Sequence, residues 1–182
     1  MTDAPDHLPI QQARAGSPEA WDAIFRRYQL PLYTYVFQLI HDAGAALDIV
    51  QETFINAARH IAALRDDSKF PGWLFGIAHQ KCIQRWRGHA REEKFLADFA
   101  GEPPADPGAD PAAILIRKEQ EAEFMELLNT LPLPQRSVLL LHFIEGFSIE
   151  EIASITAAQP GTVKSRIHYA KKALRVLIEA NP

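Results

Sequence analysis

One cysteine, Cys82, stands alone in 182 residues. No internal disulfide can form, which sets aside disulfide-stapled secreted folds and points to a reducing, cytoplasmic setting. No apolar run approaches the ~20 residues that span a bilayer, so no membrane insertion is expected. The opening residues, MTDAPDHLPIQQARAG, lack a basic stretch followed by an apolar one, so no secretory signal is visible. Seven histidines are present, yet there is no HExxH motif and no paired Cys/His spacing for a metal. The P-loop and GxGxxG motifs are missing too. No catalytic residue, metal, cofactor or small-molecule substrate is expected, and Cys82 reads as a small buried residue rather than a nucleophile. No stretch alternates polar and apolar residues between turn signals, so strands are not expected either. The fold class is all-α.

The formal net charge is −4. Residues 1–97 hold 11 Lys/Arg and 11 Asp/Glu, and residues 114–182 hold 8 of each. The excess lies in DFAGEPPADPGADPAA, residues 98–113, which has four acids, four Pro, two Gly and no base. Pro fixes φ and removes backbone donors, while Gly and like charges favour an extended chain. We read a flexible linker joining two small helical domains, 1–97 and 114–182. A long surface loop within one domain is the alternative, although structureless loops of that length are uncommon in compact domains. An acidic total does not exclude a nucleic-acid partner when the basic residues cluster locally.

Helix signals fill both halves. Ser17 is placed to cap a helix that begins at Pro18. Trp21, Ile24, Phe25, Tyr28 and Leu32 follow at helical spacing, and Pro31 should kink or break that helix. After a turn near 42–44, a second helix runs from about Ala45 to Leu64, with Leu47, Val50, Phe54, Ala57 or Ala58, and Ile61 as its buried stripe. A third runs from Phe70 to about Arg91. Beyond the linker, 114–129 reads as helix, LPLP interrupts it, and Pro134 opens the next. Gly146 suits a helix end, and SIEE, 148–151, fits a capping box. AAQPG then turns the chain into a last helix starting near Pro160. Two helices joined by about four residues, the second basic, make a helix-turn-helix pattern.

Three faces carry chemistry. GTVKSRIHYAKKALR, 161–175, has five cations and no acid. Val163, Ile167, Ala170 and Leu174 would face the core, leaving Gly161, Thr162, Lys164, Ser165, Arg166, His168, Tyr169 and Lys172 for phosphates and base edges. An ordinary solvated helix with a cationic end is the bland reading. In the second helix, Asp48, Gln51, Glu52 and Ile55 share one face, either solvated or a protein-binding surface with an apolar anchor. In the third, Gln80, Lys81, Gln84, Arg85, Arg87 and Arg91 interleave with Trp73 and Trp86. Such a set suits stacking on unpaired bases, or else cations snorkelling around core aromatics. The loop LRDDSKF, with Arg65 and Lys69, precedes it and could help form a base pocket.

Together, ALDIVQETFINA (46–57), FPGWLFGIAHQKCIQRWR (70–87) and LPLPQRSVLLLHFIEGFSIEEIASITAAQPGTVKSRIHYAKKALR (131–175) resemble the bacterial sigma factors of the extracytoplasmic-function group, over nearly the whole chain. The resemblance implies a sigma-two domain followed by a sigma-four domain. It implies that Asp48, Gln51 and Glu52 contact core RNA polymerase. The loop and third helix would melt and read the minus-ten element, and the last helix would read the minus-thirty-five element. The linker would thread toward the polymerase active-site cleft, and an anti-sigma protein is implied as regulator. Such a protein is a specificity subunit without a catalytic site of its own. Gln80 and Gln84 stand where the family usually has Asn and Asp, and Tyr169 where it often has Arg, so promoter preference should differ. A self-sufficient helix-turn-helix regulator with an N-terminal sensing or dimerisation domain is the rival reading, and a sigma-mimicking adaptor a third.

Overall fold

The computed structural model describes residues 8–97 and 127–180. The acidic linker and residues 114–126 of the helix expected over 114–129 fall outside the described residues; its end, 127–129, is helical. Among those described there is no strand, and no helix is long and apolar enough to cross a membrane.

The N-terminal bundle holds α1 (Ile10–Arg14), α2 (Pro18–Ile40), α3 (Ala43–His60) and α4 (Phe70–Ala97). Ser17 caps α2 by accepting from the Ala20 N–H at 3.2 Å, with Pro18 at the first helical position. Pro31 lies inside α2 and does not break it. Its ring removes one backbone bond, while buried Leu32, Tyr35 and Val36 hold the following turn to the same core as Ile24. The helix ends at His41, whose φ of 53° is left-handed. Asp42 at once caps α3, accepting from the Ala45 N–H at 2.9 Å. The turn is therefore shorter than the sequence suggested, and α3 starts two residues earlier.

The buried arc of α3 is Ala46, Ile49, Val50, Thr53, Phe54 and Ala57. Leu47, expected within it, is 55% exposed. Helical spacing defines a stripe but not its phase, and the buried arc is centred on the small residues Ala46, Thr53 and Ala57. The second expected helix also closes differently, as a 3-10 turn, Ile61–Ala63.

The C-terminal bundle comprises α5 (Leu133–Leu139), a π-helical turn (Leu140–Ile144), α6 (Ile149–Ile155) and α7 (Pro160–Ala180). Gly146 takes a φ of 75°, which L side chains avoid. Ser148 and Glu151 form the full capping box on α6, worth about 1 kcal/mol at the cap. Four residues later α7 begins, burying Val163, Ile167, Ala170 and Leu174 as the spacing predicts.

One continuous apolar core runs through both bundles. Phe75 of α4 meets Phe147 edge-on, with centroids 5.1 Å apart. A Cβ placed on Gly76 would lie 3.9 Å from the Ile155 Cα, so α4 and α6 approach backbone to backbone. Arg136 of α5 reaches across to the C-terminal end of α2, with Nη1 2.6 Å from His41 Nε2 and Nη2 3.5 Å from the Leu39 carbonyl.

Beneath this seam, the Tyr35 hydroxyl and His79 Nδ1 share a buried hydrogen bond of 2.8 Å. Burial first, and the Arg166 charge second, push the His79 imidazole down to about 4. The unfolded chain, with an ordinary His near ~6.5, therefore binds more protons between the two values. Stability present above that window is lost as pH falls through it, by at most about 3 kcal/mol. Urea titrations at about pH 7 and about pH 4.5 should show a steeper loss in the parent than in a His79→Gln variant, which lacks the buried imidazole.

Candidate nucleic-acid and protein interfaces

The arc that α3 does not bury is an acidic face with apolar edges. Asp48, Gln51 and Glu52 are exposed, flanked by Ile55 at 51% and Leu47 at 55% exposure. Leu47, Gln51 and Ile55 follow one another at i, i+4 and i+8, so the face has two apolar anchors rather than one. The sequence reading missed Leu47 because it was assigned to the core.

Beside this face runs the cationic row of α4. Gln80, Gln84, Arg85 and Arg87 are exposed, Lys81 and Trp73 are half-buried, and Trp86 is 50% exposed. Arg91 belongs to α4, but its side chain lies outside the described part. Two of the cations are engaged by acids at the α3 edge. Lys81 Nζ stands 2.6 Å from Glu52 Oε2, and Arg85 Nη2 stands 3.2 Å from Asp42 Oδ2. Asp42 thus serves twice, as helix cap and as ion-pair partner. The Ala45 N–H bond is the main reason its carboxyl lies below the usual range.

The loop before α4 is tied down from an unexpected side. Arg14, at the end of α1, donates to Asp67 Oδ1 at 2.6 Å and to the Leu64 carbonyl at 3.0 Å. Asp66 caps the Asp67–Lys69 turn, accepting from the Ser68 N–H at 3.0 Å. Arg65 and Lys69 are both exposed at its two ends. A groove of about 480 Å³ opens here, with Leu64, Lys69, Gly72 and Trp73 on one wall and α6 on the other. Five-residue α1 shows no repeat long enough to be read from sequence, which is why Arg14 was not foreseen.

On α7 the face expected to read DNA is open to solvent. Gly161, Thr162, Lys164, Ser165, His168, Tyr169 and Lys172 are exposed, and Arg166 is half-buried, near enough for its charge to act on His79 of α4. The Ser165 hydroxyl donates to the Gly161 carbonyl at 3.0 Å. His168 and Tyr169 meet edge-on at 5.5 Å. Phe143 and Ile144, on the π-helical turn, are also exposed, with Lys171 Nζ 4.6 Å from the centre of the Phe143 ring. Two of the expected faces thus adjoin on the N-terminal bundle and the third lies on α7, each with solvent-exposed side chains.

Exposed ion pairs contribute little to global stability, within about 1 kcal/mol. Arg14→Ala should accordingly leave the unfolding midpoint nearly unchanged while faster amide exchange appears at residues 64–69. Unchanged protection there would mean the loop is held by its own turn alone.

The family described as Sigma-70 region 2 matches residues 24–92, and Sigma-70, region 4 matches residues 121–174. The chain is 30% identical over 181 residues to the RNA polymerase sigma-H factor of Pseudomonas aeruginosa, covering 96% of this chain and 94% of that one. It is 31% identical to the ECF RNA polymerase sigma factor SigW of Bacillus subtilis, over 91% and 92% of the two chains. Among solved structures it is similar to the sigma factor RpoE of Bartonella quintana, in complex with the anti-sigma factor NepR. The TM-score is 0.66 at 25% identity, over 88% of this chain and 99% of that one. The match over 24–92 weighs against a sensing or dimerisation domain in the N-terminal half. The chain belongs to the sigma-70 family, in its extracytoplasmic-function group, and is a sigma factor that directs RNA polymerase to promoters for the initiation of transcription.

Proposed function

We propose a division of labour among three surfaces. Residues 1–97 act as the sigma-two domain, 98–113 as the linker and 114–182 as the sigma-four domain. Leu47, Asp48, Gln51, Glu52 and Ile55 bind core RNA polymerase. Arg65, Lys69, Trp73, Gln80, Lys81, Gln84, Arg85, Arg87 and Arg91 receive the melted minus-ten strand, with Trp73 or Trp86 as a stacking surface. The α7 residues from Gly161 to Lys172 read the minus-thirty-five element in the major groove. Capture of an unstacked base supplies the melting energy, a few kcal/mol per base, while RNA synthesis belongs to the polymerase. The chain itself carries no catalytic site and works in the cytoplasm, where polymerase and promoter meet. Its regulator is an anti-sigma protein, as NepR is for the RpoE structure it resembles.

The supporting observation is the adjacency of two unlike faces on one bundle. An acidic face with apolar anchors on α3 borders a cationic, Trp-bearing row on α4, joined by the Lys81–Glu52 pair. A protein partner on the first face is thereby delivered beside a nucleic acid on the second.

Transcription with purified core polymerase tests the assignment. Asp48→Arg reverses a charge at the protein face and should weaken core binding at least ~10-fold, with promoter-directed transcripts lost in step. Arg166→Ala should preserve core binding and cost about 5- to 100-fold at a promoter that depends on its upstream element. Full transcription by Asp48→Arg would remove α3 from the interface.

A further inference from the structure

Most of the side chains on the open face of α7 are donors. Lys164, Lys172 and half-buried Arg166 carry N–H groups suited to phosphates and purine edges. Ser165, between them, gives its proton to the Gly161 carbonyl at 3.0 Å, which leaves its oxygen to accept. Tyr169 is of another kind. It stands one turn beyond Ser165 and Arg166 and two beyond Thr162, on the same stripe, and is 61% exposed. His168 meets the ring edge-on, with centroids 5.5 Å apart and planes at 78°, an arrangement that favours one tilt of the ring. Tyr169 also borders an open groove of about 530 Å³, with Ala173 and Val176 on its own wall and Leu131 and Pro132 on the other. Val176, 58% exposed, continues the apolar strip two turns on.

The chemistry of the ring limits what it can recognise. Guanine is read by two parallel donors in one plane, which Arg supplies. A phenol has a single hydroxyl, and the rest of the ring is carbon. The apolar group that a base pair presents in the major groove is the 5-methyl of thymine. Cytosine at the same place would set its N4 amino group against carbon, where it finds no acceptor. We propose that Tyr169 determines base specificity: its ring packs on the 5-methyl group of one thymine in the minus-thirty-five element, and that position is selected as T rather than G. The proposal rests on α7 as the reader of that element.

The test uses the full chain bound to core polymerase and a duplex library randomised across the minus-thirty-five element. Sequences recovered by the parent should be enriched in thymine at one position. Tyr169→Ala should level that position to near-even base use, and Tyr169→Phe should preserve it, because Phe keeps the ring and lacks only the hydroxyl. Tyr169→Arg should move it from T to G. At a recovered promoter, deoxyuridine in place of that thymine deletes the methyl group and nothing else. The parent and Tyr169→Phe should then lose about fourfold in affinity, the worth of one buried carbon group, and Tyr169→Ala should lose nothing. A thymine preference that survives Tyr169→Ala, or an equal uridine penalty in that variant, overturns the contact. A Phe variant that behaves like Ala overturns it as well and assigns recognition to the hydroxyl. A Tyr169→Ala loss equal at every sequence rejects it in favour of a protein seated in the adjoining groove. Arg166→Ala tells failure of the proposal from failure of the reading beneath it. If Arg166→Ala weakens binding while uridine costs nothing, α7 reads the element and Tyr169 does not read thymine. If Arg166→Ala and the Tyr169 variants are all silent, α7 is not the reader and both fall.

Discussion

The architecture depends on α4 being able to pack on two sides. Phe70, Leu74, Phe75, Ala78 and Cys82 are all buried along it. Part of that surface completes the core with α2 and α3, and part meets α6 of the other bundle. A helix with bulky residues all around could not sit so close to a second bundle. Gly72 and Gly76 solve this on the α6 side, at a propensity cost of roughly 1 kcal/mol each relative to Ala. The cations stand on the remaining arc of α4, Lys81 and Arg85 at its border with α3 and Arg87 in the open. Burial on two sides thus fixes the direction in which Gln80, Gln84 and Arg87 project.

The same logic sets the α3 face. Because Ala46, Ile49, Val50 and Thr53 turn inward, Leu47, Gln51 and Ile55 must turn outward with Asp48 and Glu52. Leu47 and Ile55 bracket the three polar groups, so the face combines two apolar side chains with charge and hydrogen-bonding groups. Interfaces are commonly built this way, with apolar contacts supplying energy and polar ones supplying register.

What could be read from sequence was chiefly local chemistry. Ser17–Pro18, Ser148–Glu151 and Gly146 each announce a backbone event through their own side chain or its absence, and each stands where it was expected. The α7 stripe was legible too, since four apolar positions over twelve residues leave only one phase. Leu47 was misplaced because α3 offers apolar residues on two adjacent arcs, and only packing against α2 and α4 decides between them. The seam itself was not legible. Gly72 and Gly76 look like weak helix positions until Ile155 is seen against them. Nothing near Phe75 in the chain points to Phe147, more than seventy residues away. Arg14 escaped for the related reason that its partners, Leu64 and Asp67, are distant in sequence.

Charge placement then explains how a chain of net −4 can present basic surfaces without being locked onto nucleic acid. Lys81 and Arg85 already have acidic neighbours at the α3 edge, and Lys69 faces Glu151 across the groove. Pairs of this kind, exposed to solvent on at least one side, are worth about 1 kcal/mol or less. They hold long side chains near their working positions and lower the local field seen by stray phosphates, yet yield readily to a better-placed anion. On α7 the arrangement is the opposite: fifteen residues carry five cations and no acid, so its attraction to phosphate is not offset along the helix. The two basic elements therefore differ in kind. The stretch 161–175 of α7 carries no carboxylate of its own, whereas the α4 row has part of its charge committed to neighbouring carboxylates.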